Sequence, residues 1–343
     1  MFENYYGNRA VQDALEQMLK SGRLAQTLLL DGPEGIGKAT LARRLAARLL
    51  GDAAKIEDDD LSLEHNRERI AEREKWASEK RAEDPLLFST HPDFVTICPE
   101  GPLRQISIQQ MRLLRERAQY KPLKGAWRVF LIDHIDRANL QAADSLLKTL
   151  EEPPDHLLLI LTAENAYDLP ATIRSRSVPF RLAPLNDEEM RAFARARHIE
   201  ETDRRLGIAA GCPGLVVTTE LEVHEKRRAV MLAMLEAAAG TGEFGAWVKQ
   251  SESFFASKTE KLDLYFKTLY GLLEDILLLA HGGHALRNAD LRRELATLAH
   301  RVDFDWIRRA VGKTDELVEL QRRNVQKGLS IDRFVVTQRW GLE

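Results

Sequence analysis

The chain has 343 residues, 44% of them hydrophobic and 30% charged, with a formal net charge of −3. That length predicts two or three domains. The near balance of charge excludes any partner chosen by whole-chain electrostatics, so a nucleic-acid or membrane surface would have to be local. Cys98 and Cys212 are the two cysteines, too few for a disulfide framework or a four-thiolate site. A reducing cytoplasm fits.

Met1-Phe2-Glu3-Asn4-Tyr5 has no basic region followed by an apolar stretch, so no signal peptide is expected. Val11, Leu15, Met18 and Leu19 give residues 8–21 a helical spacing. Thr27-Leu28-Leu29-Leu30 reads as a buried strand, ended by Asp31-Gly32-Pro33. Ala39 to Leu50 reads as a helix closed by Gly51. Residues 57–84 hold eleven acidic and six basic residues, which predicts an exposed helical excursion or a mobile insert. Phe94 to Ile97 is a second strand, and Ile108, Met111, Leu114 and Ala118 mark another helix. Arg128 to Asp133 and Leu157 to Leu161 are further apolar strands. The helix Ala142 to Leu150 lies between them and is stopped by Pro153-Pro154. Buried strands alternating with helices predict an α/β fold with a parallel sheet covered on both faces. From Pro184 onward the periodicity is helical, with breaks at Gly211-Cys212-Pro213-Gly214, Gly240, Gly242 and Gly282-Gly283. The apolar run there from Ile276 to Ala280 is too short to span a bilayer, and no membrane partner is expected.

The segment Gly32-Pro33-Glu34-Gly35-Ile36-Gly37-Lys38 sits between a strand and a helix, the context of a phosphate-binding loop. Its glycines let backbone N–H groups turn toward phosphate oxygens. Lys38 would reach the terminal phosphates, and the helix N-terminus adds partial positive charge. The next position usually carries a Ser or Thr whose hydroxyl binds magnesium. Here it is Ala39, which offers no oxygen. Thr40 follows, rotated by about 100° along the helix and so a poor substitute.

Val129-Phe130-Leu131-Ile132-Asp133 has the form of the acidic strand end that supports magnesium beside such a loop, with Asp133 as the candidate. The next position, His134, holds no carboxylate to orient a water. Asp136 lies one step too far to replace it easily. ATP or ADP remains a candidate ligand, but the magnesium site is impaired. Two independent losses predict weak turnover.

Leu146-Leu147-Lys148-Thr149-Leu150-Glu151-Glu152-Pro153-Pro154 and Leu169-Pro170-Ala171-Thr172-Ile173-Arg174-Ser175-Arg176-Ser177 resemble bacterial clamp loader subunits, members of the AAA+ family. His91-Pro92-Asp93, Ile106-Ser107-Ile108-Gln109-Gln110-Met111-Arg112 and Lys121-Pro122-Leu123 narrow the resemblance to the delta-prime type of the DNA polymerase III holoenzyme. The specific motifs cover residues 1–220, and 221–343 match in length and helical character only.

This resemblance implies three parts: an AAA+ P-loop domain over 1–183 carrying the insert 57–84, a small helical lid over 184–220, and a helical oligomerisation collar over 221–343. It implies a hetero-pentamer with other loader subunits that uses ATP to place a sliding clamp on primed DNA. It also implies that Arg176 is an arginine finger acting in trans on a neighbour's ATP, with Arg174 as the backup. Ser177 stands where the family motif usually has Cys. Many relatives carry a four-cysteine zinc module in place of the charged segment 57–84, so no zinc is expected here. Leu215 stands where a nucleotide-sensing arginine is often found.

Residues 101–128 hold Arg104, Arg112, Arg115, Arg117, Lys121, Lys124 and Arg128 against the single acid Glu116, a candidate surface for DNA phosphates. A self-sufficient AAA+ ATPase or DNA remodeller, using Thr40 and His134, is the alternative. A nucleotide-gated DNA-binding module is a third.

Overall fold

The computed structural model describes residues 2, 4–200, 202–256, 262–284, 286–322 and 327–341. The chain divides into two compact units, Met1–Ile199 with Gly211–Val217, and Glu200–Ala210 with Thr218–Glu343. Residues 184–220 contribute to both.

The first unit is built on five parallel strands: β1 (Thr27–Asp31), β2 (Phe94–Ile97), β3 (Arg128–Ile132), β4 (Leu157–Ala163) and β5 (Val178–Arg181). Their order is β2-β3-β4-β1-β5. In register, Leu29 of β1 faces Leu161 of β4, and Phe130 of β3 faces Leu159. Every residue of β1 to β4 is buried. Coverage on both faces is why these strands read as continuous apolar runs rather than as alternation. On one face, Phe130, Ile132 and Leu159 join one core with Met111 of the helix Ile108–Ala118 and Leu146 of the helix Leu140–Glu151. Each such side chain contributes about 1.5–3 kcal/mol by leaving water.

β5 was not legible in the sequence. It is four residues long, contains Pro179, and buries only Phe180. An edge strand tolerates a proline because one side of its backbone needs no ladder partner.

The charged segment is folded as helices Ala53–Asp58, Glu64–Glu74 and Ser78–Glu83. Charges anchor it. Buried Arg43 pairs with Glu57 at 3.2 Å and also with Asp60. Buried Arg73 pairs with Asp84 at 2.9 Å and Glu100 at 3.2 Å, and its guanidinium covers the Trp76 ring. Burial pushes the Glu100 carboxyl up, and Arg73 opposes that rise. Leu61 and Ile70 pack on a small cluster of Leu86, Phe88 and Cys98.

The second unit is helical. The helices Leu221–Ala239, Leu262–Ala280, Arg292–Arg301 and Phe304–Arg322 enclose a core that includes Met231, Leu235, Leu269, Leu272 and Ile276. Gly240 ends the first of these in a left-handed conformation, φ 76°. Buried Asp275 accepts the backbone amides of Arg287 and Asn288, both at 2.9 Å. No helix among the described residues is long and apolar enough to cross a membrane.

Candidate functional site

The phosphate-type loop leads from the end of β1 into the helix Lys38–Leu50. Gly32, Gly35 and Gly37 adopt φ of 152°, 76° and 100°. A Cβ on Gly32 would meet the Leu182 carbonyl oxygen at 2.4 Å, so no larger residue fits there. Lys38 is buried, and its Nζ donates to the carbonyl oxygens of Gly32 at 2.6 Å and Pro33 at 3.0 Å. Burial pushes its pKa down, against the pull of Asp133, Glu164, Asp136 and Glu34. The ammonium is thus held by the loop's own carbonyls. A triphosphate on the loop amides would draw it away from them.

Ala39 and Thr40 open the helix after Lys38, and Ala39 carries no magnesium ligand. Asp133 lies directly beyond β3, nearly buried, and its Oδ1 accepts from the Thr162 hydroxyl at 2.6 Å. The same hydroxyl accepts the His134 amide at 2.9 Å. Thr162 was missed in the sequence, although a hydroxyl near the end of the strand beside the acidic one was the available signal. His134 is left-handed, φ 56°, and half-buried. Its Nδ1 lies 4.0 Å from Asp136 Oδ1, and neither atom makes a hydrogen bond. Burial pushes the Asp136 carboxyl up.

Two further groups close on the loop. The Gly214 amide donates to the Gly35 carbonyl at 2.7 Å. A Cβ on Gly35 would meet Leu215 Cγ at 2.9 Å, so an apolar side chain rests where the resemblance implied an arginine. Tyr5 sits against Gly37, where an added Cβ would meet its ring at 3.1 Å. Burial pushes the Tyr5 hydroxyl up. The sequence pattern assigned Tyr5 no role.

Arg176 lies at the surface, just after the short helix Ala171–Arg174. Its Nη1 donates to the Thr172 carbonyl at 3.0 Å and the Ser175 hydroxyl at 3.3 Å. Its Nη2 donates to Glu151 Oε1 at 2.7 Å. Glu151 is the last residue of the helix Leu140–Glu151. Arg174, by contrast, is half-buried, with its guanidinium over the ring of Tyr167.

The basic stretch is only partly a free surface. Arg128 is buried and Arg104 pairs with Glu74 at 2.9 Å. Arg112, Arg115, Lys121 and Lys124 are exposed. Two motifs of the resemblance meet here. The buried Asp93 carboxylate accepts the amides of Leu123 at 2.8 Å and Lys124 at 2.6 Å. The run from Ile106 is a capping box in which Ser107 and Gln110 bond reciprocally. These motifs hold the fold. Among the described residues, no group of three or more His, Cys, Asp or Glu is placed to hold a metal ion.

A parallel sheet in this order, with a phosphate loop after β1 and an acid beyond β3, defines a P-loop type α/β protein. Residues 7–186 match the family described as DNA polymerase III, delta subunit. That span is over half of the chain, and the chain belongs to this family. It is 28% identical over 219 residues to DNA polymerase III subunit tau of Escherichia coli, covering 61% of this chain and 30% of that protein. It is 29% identical over 201 residues to subunit gamma of Buchnera aphidicola from Acyrthosiphon pisum, covering 59% and 50%. The chain therefore spans half or less of the length of these relatives. Among solved structures, a gamma subunit-related protein of Thermotoga maritima is similar at a TM-score of 0.43 and 15% identity, covering 95% of this chain and 98% of that one.

Proposed function

We propose that this chain is the delta-prime type of clamp loader subunit, a scaffold that lends Arg176 to the ATP site of an adjacent motor subunit. One contrast carries this reading. The chain's own loop lacks the magnesium hydroxyl at Ala39 and the carboxylate at His134, while Arg176 stands exposed at the surface. A guanidinium facing a neighbour's terminal phosphate stabilises the charge that develops there during transfer. In its own cradle the loop amides and Lys38 would hold nucleotide phosphates, with Asp133 alone as the support for magnesium. Bound ATP would supply the transferable phosphate. The chain's residues would then bind it without efficient cleavage.

The partners are the other subunits of a hetero-pentamer, with the sliding clamp and primed DNA reached through the assembly, in the cytoplasm. The division into an AAA+ part, a lid over 184–220 and a collar over 221–343 belongs to the same proposal. The test is reconstitution with the other loader subunits. The lone chain should hydrolyse ATP poorly, with or without DNA. Arg176→Ala should lower ATP turnover of the complex without preventing assembly. A robust DNA-stimulated rate from the lone chain, or an unchanged rate in the Arg176→Ala complex, refutes it.

A further inference from the structure

Arg176 is already engaged by its own chain. Its Nη2 donates to Glu151 Oε1 at 2.7 Å, and its Nη1 is taken by the Thr172 carbonyl at 3.0 Å and the Ser175 hydroxyl at 3.3 Å. Side-chain exposures of 33% for Arg176 and 50% for Glu151 put the pair in contact with solvent, open to approach from outside. A phosphate oxygen arriving at Nη2 would meet the Glu151 carboxylate at the same nitrogen. Nη2 carries two N–H groups, so the two anions would share one guanidinium charge at close range, where they repel each other. Glu152 follows directly and is likewise exposed, so the negative charge is local to this corner.

We propose that Glu151 is a positioning residue that parks Arg176 on its own subunit until a neighbour's triphosphate displaces it. This rests on the assignment of Arg176 above. Glu151 itself touches no nucleotide. It sets a threshold against which the neighbour's ATP must compete. An exposed pair of this kind shifts an equilibrium by a factor of up to about five, so the threshold is low enough for a bound nucleotide to overcome.

The test is Glu151→Gln, which keeps shape and hydrogen-bonding oxygen but removes the charge, in the full reconstituted complex with ATP as probe. The expected result is a two- to five-fold lower KM for ATP at the neighbouring site, with kcat unchanged. The shift should shrink at high salt. It should also vanish when Arg176→Ala is added, because the two residues then form no pair. A lowered kcat with unchanged KM would make Glu151 a support for the loop and overturn the parking role. A shift that persists in the Arg176→Ala background would overturn it too. Arg176→Ala alone separates the two ideas. If it lowers turnover while Glu151→Gln changes nothing, the finger stands and the latch falls. If it changes nothing, the finger itself falls.

Discussion

The phosphate loop and the Arg176 corner are two ends of one sheet unit, and they differ. The loop keeps its form: three glycines at positive φ, a buried lysine, and an acid hydrogen-bonded at the next strand but one. It carries no hydroxyl at Ala39 and no carboxylate at His134. The Arg176 corner has little form, a one-turn helix and an exposed side chain whose guanidinium donates to Glu151. The backbone geometry goes with the packing of β1, β3 and β4, whatever side chains the loop carries. A hydroxyl or carboxylate can be lost without unfolding anything. The shape of a phosphate loop therefore says less about turnover than the side chains it carries.

Breaking the strong end should produce the largest effect. With Arg176→Ala, turnover at the facing site of the complex should fall about 10³-fold or more, read from single-turnover ATP cleavage. Next comes repair of the weak end. Ala39→Ser together with His134→Glu restores a hydroxyl and a carboxylate. A placed base is worth roughly 10²-fold, so the lone chain's slow hydrolysis should rise by about that factor. If steady-state ATPase does not move, the closed loop around Tyr5 and Leu215, and not the missing groups, separates the two regions.

A smaller effect probes the frame under the loop. Thr162→Val removes the donor to Asp133 and the acceptor for the His134 amide. A hydrogen bond to a charged group is worth about 1.5–3 kcal/mol. Urea unfolding should show a loss of that size, with the Arg176-dependent rate of the complex little changed.

A last, pH-dependent effect lies in the helical unit. His224 is pushed down to about 4, by burial first and then by Arg228 and Arg227. The unfolded chain takes up this proton near pH 6.5, the folded chain only near pH 4. The unfolded state binds more protons between those values, so stability falls as pH drops through that window and is fully present above it. His224→Leu should flatten this part of the pH dependence of the urea midpoint. Unchanged curvature would show that His224 is solvated.

Much of the fold was legible. Four of the five strands were visible as apolar runs, since burial on both faces leaves few polar positions to blur them. β5 was not, because an edge strand with one buried residue and a proline carries almost no pattern. The charged segment 57–84 could be read as helical, but its anchoring could not. Arg43 and Arg73 look like any surface arginine until their carboxylates are placed beside them. The seven basic residues of 101–128 suggested one surface, yet Arg128 turns inward and Arg104 is paired.

The sequence by itself determined what is missing from the cradle and what is present at Arg176. Those are facts of residue type at positions fixed by local spacing. Only the tertiary structure decided which groups meet. Glu151 reaches Arg176 across 25 residues, Thr162 reaches Asp133 across 29, and Asp93 holds Leu123 across 30. Such pairs depend on strand order and on where each strand ends. No local pattern of apolar or charged residues encodes that, because it is set by how the whole sheet packs.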